Sequence, residues 1–399
     1  MTDRPPKRRP NPVWLGLGIV GWAGLIWLAI QMYSTTPRTA GFDLELLLQA
    51  GRDVAAGKSP YDPSMVAGGV PGAADLFYSY PPPVAQAMSL FAGVPSAVMF
   101  WALWVVATAG LASAGALISR RLVSDRPVSA MVIPTLAVAP LFLPFGIALL
   151  FGNLDALFPL AYSLVLLAAV APSARLSAAG GVALGVATVA KIHPAGLGPW
   201  FVGRLVRERQ DGQAAASLRL ILAAAATVGV VFALSLLAGG ADLWRDYAPV
   251  AGAASNARLL DPRNVGPAAQ VAVLLGGDEA LVRTLHLPVA VAAVLASLGA
   301  GWAVRDRLTG IAIAGIASLV LLPVTWYHYP TALIPFAIAG IVRARGTSSA
   351  PRTTALIAAA ALIATLSIAW VPGLWLAVAL GLAGVAASAG AGPGKLPVE

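Results

Sequence analysis

Apolar runs of membrane length, separated by short polar or basic stretches, set the pattern of this chain. The first runs from Val13 to Tyr33. It exceeds the hydrophobic core of a cleavable secretory signal, about 7–15 residues, and matches the roughly 20 residues that a helix needs to cross a bilayer. After it the periodicity changes. Between Asp43 and Gly57, Leu44, Leu47, Leu48 and Val54 share one side of a helix, with Glu45, Gln49, Arg52 and Asp53 elsewhere. Gly57 suits a C-terminal stop. This stretch is too short and too polar to span, so it is expected to lie along the interface. Val84–Val94 reads as a half-helix and 95–119 as a full span. Further apolar segments fall at 128–150, 154–171, 175–191, 194–206, 214–238, 281–303, 308–325, 330–342, 353–370 and 372–390. Strand-length alternation is missing, so the pattern predicts an all-α integral membrane protein, a polytopic bundle of about 12 transmembrane helices, and not a barrel.

The polar remainder orders the chain. A basic cytoplasmic tail (1–12) precedes a single membrane domain (13–390) with outer loops at 34–82 and 238–279, and a second cytoplasmic tail closes the chain at 391–399. Most of the 26 Lys and Arg fall on the tail and on short loops of one side, including Arg120, Arg121, Arg126 and the run Arg204–Arg209. The acidic residues gather on the other side, as the positive-inside rule requires. The net charge of +9 therefore reports topology and does not point to nucleic acid.

Composition narrows the chemistry. Charged residues make up 11% and apolar residues 58% of the chain, against about 25% charged in soluble proteins. With no cysteine, thiolate catalysis and disulfides are excluded. His193, His286 and His328 lie too far apart in sequence to show metal-ligand spacing. Gly51–Ser59 resembles a phosphate-binding loop, but it has one residue too many between its glycines and no preceding strand.

The polar groups left at membrane depth are functional candidates, because burying them is costly. Asp43 follows the first span. Gly152-Asn153-Leu154-Asp155 separates two apolar segments, Lys191-Ile192-His193-Pro194 breaks another, and Trp326-Tyr327-His328-Tyr329-Pro330 a third. All are expected at the outer face, beneath the two large loops. Asp43 reads either as a general base or as a helix N-cap. His328 is either a hydrogen-bond donor or proton shuttle, or one member of an interfacial aromatic belt. Lys191 either holds a lipid phosphate or snorkels to the interface. Arg258, Arg263 and Asn264 either bind an anion or are solvated. Glu45 lies roughly 200° around the helix from Asp43, so the two make no carboxylate pair on one face.

The ordered set F-D-L-E-L-L-L-Q-A-G-R-D-V-A-A-G-K-S-P-Y-D-P, Y-S-Y-P-P-P, G-N-L-D-A-L, K-I-H-P and W-Y-H-Y resembles the GT-C glycosyltransferases. It is most similar to bacterial polyprenyl-phosphate-mannose-dependent α-mannosyltransferases that build phosphatidylinositol mannosides and lipoglycans. The resemblance implies Asp43 as the base that deprotonates an acceptor hydroxyl, with His328 as the second catalytic group. It implies Lys191 near the donor; with it, His193 and the outer-loop Arg258, Arg263 and Asn264 are expected around the donor phosphate. Glu45, Tyr61, Tyr80, Asn153, Tyr327 and Tyr329 are then expected around the acceptor pocket. Leu47 stands where such enzymes commonly carry an aromatic, and Gly152-Asn153 where they often carry Gly-Gln. The implied partners are a polyprenyl-phosphate sugar donor, a glycolipid or glycan acceptor and membrane lipid. The implied place is the cell membrane with its site on the extracytoplasmic side, and no metal or other cofactor is expected. A transporter or flippase is the first rival and calls for ionisable groups near mid-membrane. A polysaccharide polymerase or ligase is the second and would lean on Arg258 and Arg263.

Overall fold

The computed structural model describes residues 12–35, 40–61, 78–123, 129–212, 214–254 and 258–390. The expected tails, apart from Pro12, lie outside those residues, as do Arg126 and the middle of the first outer loop, 62–77.

The chain opens with α1 (Pro12–Ser34), followed by α2 (Phe42–Ala55), α3 (Pro82–Ser89) and α4 (Ser96–Leu122). Then come α5 (Ser129–Val138), α6 (Leu143–Phe151), α7 (Phe158–Val170), α8 (Ala174–Ala190) and α9 (Gly198–Gln210). The second large loop, reached through α10 (Ala215–Gly239), holds α11 (Asp242–Ala254) and α12 (Pro267–Leu274). It leads into α13 (Glu279–Ala303), α14 (Arg307–Leu319), α15 (Ile334–Ala344), α16 (Ala350–Leu366) and α17 (Pro372–Ala387). Among the described residues the one strand-like pairing is a single antiparallel bridge between Asn264 and Trp326.

α1, α4, α10 and α13 are long and apolar enough to cross a membrane, and the bent pair α5–α6 makes a fifth if counted as one span. Their outer sides are apolar: Val20, Val105, Leu237 and Leu287 are each more than half exposed. Lipid is the solvent that accepts such surfaces. The other apolar helices have 10–17 residues and rise at most about 26 Å, less than the roughly 30 Å hydrocarbon thickness. Several of them include or adjoin 3-10 turns, and it is there that the polar motifs lie.

The segment 128–150, expected as one span, is broken. α5 passes through a 3-10 turn, Ala139–Leu141, into α6 with a bend of 72°. Pro140 in the turn and Pro144 in the first turn of α6 supply no backbone N–H and crowd the preceding carbonyls. The bend brings the end of α6 against the start of α2, where the Gly41 amide donates to the Leu150 carbonyl at 2.7 Å. Gly152 closes α6 with φ +69°, and a Cβ there would meet the Leu44 Cβ at 2.7 Å.

Glycine lets the inner helices approach closely. α9 meets α13 through Gly203 and Gly301, where an added Cβ would sit 2.1 Å from the Leu298 and Trp200 carbonyl oxygens respectively. One end of the bundle is tied by buried ions. Glu208 on α9 receives Arg204 at 3.1 Å, the Ser217 hydroxyl at 2.7 Å and Arg307 at 3.2 Å, while Arg343 pairs with Asp306 and Ser388. These anchors hold the C-terminal end of α9 and the N-terminal ends of α10 and α14, leaving the opposite ends to converge on the polar motifs.

Gly203→Ala is expected to wedge α9 from α13 and cost about 1–3 kcal/mol. Gly229→Ala, where a Cβ meets no atom within 4 Å, should leave stability unchanged or raise it by up to about 1 kcal/mol. Thermal unfolding of both variants in detergent checks the pair.

Candidate active site

Five short segments, each at the end of a helix, meet at that opposite end. They are the start of α2, the chain entering α3, the 3-10 turn Leu154–Leu157 before α7, the turn His193–Leu197 after α8, and the residues around the turn Tyr329–Leu333 before α15. Each turn begins where the apolar helix stops and a proline or a small polar residue redirects the backbone. Asn153 caps its turn by accepting from the Asp155 amide at 3.0 Å. Pro194 and Pro330 open the other two.

Asp155 is the centre, with no exposed surface. Its Oδ2 accepts from Lys191 Nζ at 3.0 Å and lies 3.2 Å from His328 Nε2. Its Oδ1 lies 3.6 Å from His193 Nε2, too far for a hydrogen bond. Lys191 also donates to Asn153 Oδ1 at 3.2 Å. Its ammonium sits 4.4 Å from the centre of the Tyr329 ring and 6.0 Å from that of Tyr80, a cation–π setting. The face of Tyr329 stacks on His193 with ring centres 4.5 Å apart.

Asn153 joins this cluster to Asp43, donating from Nδ2 to Asp43 Oδ2 at 2.7 Å. Gly41, in the left-handed conformation, is the N-cap of α2 and makes no side-chain capping bond. Asp43 therefore lies inside the first turn and spends its carboxylate on Asn153 and not on the helix. The residue as a whole stays partly exposed, while protein crowds its carboxylate. Burial raises its pKa above the ordinary carboxylate value; the Asn153 bond and the Lys191 charge oppose that rise without cancelling it.

Asp43, Lys191, Asn153, Tyr80, Tyr329 and His328 are thus brought together, and other expected residues find different work. His193 is fully enclosed behind Asp155, edge-on to Phe158 at 5.4 Å. Asn264 is not at an anion site: its side chain donates to the Leu259 and Pro323 carbonyls and accepts from the Gly266 and Thr325 amides. All its hydrogen-bonding capacity holds two loops together. Tyr327 turns away, its hydroxyl donating to the Ala364 carbonyl in α16 and accepting from Ser367. Glu45 pairs with Arg52 along α2. Tyr61 braces its neighbour, donating to the Tyr80 carbonyl at 2.9 Å and packing on Tyr78 and Tyr247.

Arg258 and Arg263 both pair with Asp261, at 3.4 and 2.7 Å. The Arg263 guanidinium lies 5.7 Å from the Trp326 ring centre, and its charge reaches Asp43. It forms part of the site's rim. The residue absent from the expected set is Asp155. Its signal was in the chain: a carboxylate at the head of an apolar segment, with a lysine heading the next polar break. An apolar cavity of about 370 Å³ lies nearby, between α5, α15 and α17. Pro330, Leu333 and Phe142 line it, and no member of the polar cluster does.

The described residues thus form a helical membrane bundle that buries a carboxylate–lysine–histidine cluster at one end, with a second carboxylate beside it. A sequence model of glycosyltransferase family 87 matches residues 78–323, well over half of the chain. The chain belongs to that family, whose members are GT-C-like membrane glycosyltransferases, and it is therefore a glycosyltransferase acting on a sugar donor and an acceptor. The matched span takes in Tyr80, Asn153, Asp155 and Lys191; Asp43 and His328 lie to either side of it. Comparison with individual curated proteins returned no match.

Tyr329→Leu removes the ring beneath Lys191 and the stack on His193, and is expected to lower stability by about 1–3 kcal/mol. Tyr329→Phe retains the ring and should lose less. Thermal unfolding in detergent distinguishes the two.

Proposed function

We propose that this protein transfers a glycosyl unit, mannose foremost, from a polyprenyl-phosphate donor to a lipid or glycan acceptor at the extracytoplasmic face of the cell membrane. The supporting observation is that one carboxamide, Asn153, bonds the Asp43 carboxylate on one side and the Lys191 ammonium on the other. A displacement at a sugar carbon needs a base on the attacking side and a cation on the leaving side, held at fixed spacing.

In this reading the donor head group enters from the membrane with its phosphate near Lys191 and His328. Asp43 takes the proton of the acceptor hydroxyl. The acceptor oxygen forms its bond to the sugar C1 as the bond from C1 to the phosphate oxygen breaks on the opposite side. The anomeric centre inverts, and polyprenyl phosphate departs with the electron pair. Lys191, His328 and the rim Arg263 offset the charge gathering on that phosphate. The reading invokes no metal. The buried ion pairs lie at the two ends of the bundle, around Glu208 at one and Asp155 at the other. That supports this reading over a transporter, which needs such groups at mid-depth.

An in-vitro assay with a panel of polyprenyl-phospho-sugars, scored by product mass and linkage, tests the donor and acceptor classes. Asp43→Asn should lower transfer by about 10²–10⁴-fold with thermal unfolding unchanged. Retained transfer in that variant, with loss in Arg263→Ala, would favour the polymerase or ligase chemistry.

The pH profile carries a sign. Asp43 works as a base only when ionised, and its pKa is raised by burial. Transfer is therefore expected to fall, as pH drops, at a higher pH than an ordinary aspartate would give. Asn153→Ala removes a bond that favours the ionised form, so its acid limb should move to higher pH still. An unmoved limb would count against Asp43 as the titrating base.

A further inference from the structure

The transfer chemistry proposed above has no evident need for a second carboxylate. A donor phosphate is an anion, and a carboxylate among its ligands repels it. Asp155 nonetheless occupies the middle of those ligands without any exposed surface. Its Oδ1 and the Nε2 atoms of His193 and His328 are buried and make no hydrogen bond of good geometry. Buried polar atoms are ordinarily paired with good geometry, and here two imidazoles approach one carboxylate, at 3.6 and 3.2 Å, without well-directed bonds.

Two effects oppose each other at this point. Repulsion between Asp155 and phosphate weakens donor binding. Against it stands the burial of Lys191, which is 9% exposed and bounded by the rings of Tyr80 and Tyr329. A buried ammonium without a counter-charge is costly and is not held in one place. The carboxylate at 3.0 Å is the one directly bonded counter-charge. The other groups facing the ammonium are Asn153 from the turn before α7, Asp43 from α2, His193 from the turn after α8, His328 and Tyr329 before α15, and Tyr80 before α3. Among these only Asp43 is a further anion, and Asn153 stands between it and the ammonium.

We propose that Asp155 is a positioning residue for donor binding that acts through Lys191: its ion pair holds and aims the ammonium, and it does not itself touch the donor. This rests on Lys191 being a phosphate ligand. It also accounts for Asn153, whose Oδ1 is held by Lys191 and by the Asp155 amide while its Nδ2 orients Asp43. One buried carboxylate thereby sets both the cation on the leaving side and, two bonds away, the base on the attacking side.

The test uses the full chain in lipid nanodiscs and a long-chain polyprenyl phosphate, which carries the phosphate without the sugar. Asp155→Asn is expected to weaken binding about tenfold or more, because the buried ammonium loses its bonded counter-charge. Asp155→Glu keeps the charge and should bind within about threefold of wild type. Lys191→Met should lose the same affinity, and the double variant Asp155→Asn/Lys191→Met should be no weaker than Lys191→Met alone. Thermal unfolding verifies each variant, and Asp155→Ser stands in if the asparagine form does not fold. Tighter binding by Asp155→Asn, unchanged binding, or additive loss in the double variant overturns the proposal. Full affinity in Lys191→Met instead removes the phosphate-ligand reading beneath it, so the two failures are told apart.

Discussion

A carboxylate with no exposed surface, ion-paired to a lysine that is itself nearly enclosed, is the interaction on which the rest of this structure turns. Neither group is tolerable alone at that depth. Removing one partner of such a pair costs about 3–5 kcal/mol, because the other is left as an uncompensated buried charge. The pair joins the turn before α7 to the end of α8, and His328 and the Tyr329 ring bring in the start of α15. Three helix ends far apart in sequence are thereby held at one point, and Asn153 extends the same network to α2.

The scaffold is arranged to let that happen. Ion pairs around Glu208 and Arg343 fix one end of the bundle, and close glycine contacts such as that of Gly203 in α9 against α13 keep the inner helices in register. The helices are then free to end early at the other end, in 3-10 turns opened by Pro194 and Pro330. A straight helix satisfies its backbone internally and offers a ligand only side chains. A helix that stops short of the membrane surface leaves backbone and polar side chains facing a shared space. The bend between α5 and α6 serves the same end, since an unbroken span could not bring Gly152 against Leu44.

Much of this was legible in the chain. Val13–Tyr33 foretold α1, the periodicity of Leu44, Leu47 and Leu48 foretold an amphipathic α2, and the runs at 214–238 and 281–303 foretold α10 and α13 almost to the residue. In those segments length and polarity decide the outcome with little help from neighbours. The convergence of Asp43, Lys191 and His328 was also readable, because membrane topology alone puts alternate loops on one side. Hidden from view were the 72° bend, the helices α11 and α12 within the second loop, and the roles of Asn264 and Tyr327. A proline in an apolar run reads the same whether it kinks a span or ends it. Similarly, Asn264 looked like a polar loop residue, and only its four backbone partners reveal it as a clip between loops.

By itself the sequence determined that this is a helical membrane protein and which motifs carry the costly polar groups. Those outcomes follow from hydropathy and charge, which act along the chain. The tertiary structure alone decided which polar groups touch. It put Asp155 at the hub, left His193 behind it, turned Tyr327 aside and set Asn153 between Asp43 and Lys191. The physical reason is that a buried charge is stabilised only by partners within a few ångströms. Partners at that range are chosen by how helices end and bend, and not by where residues fall in the sequence.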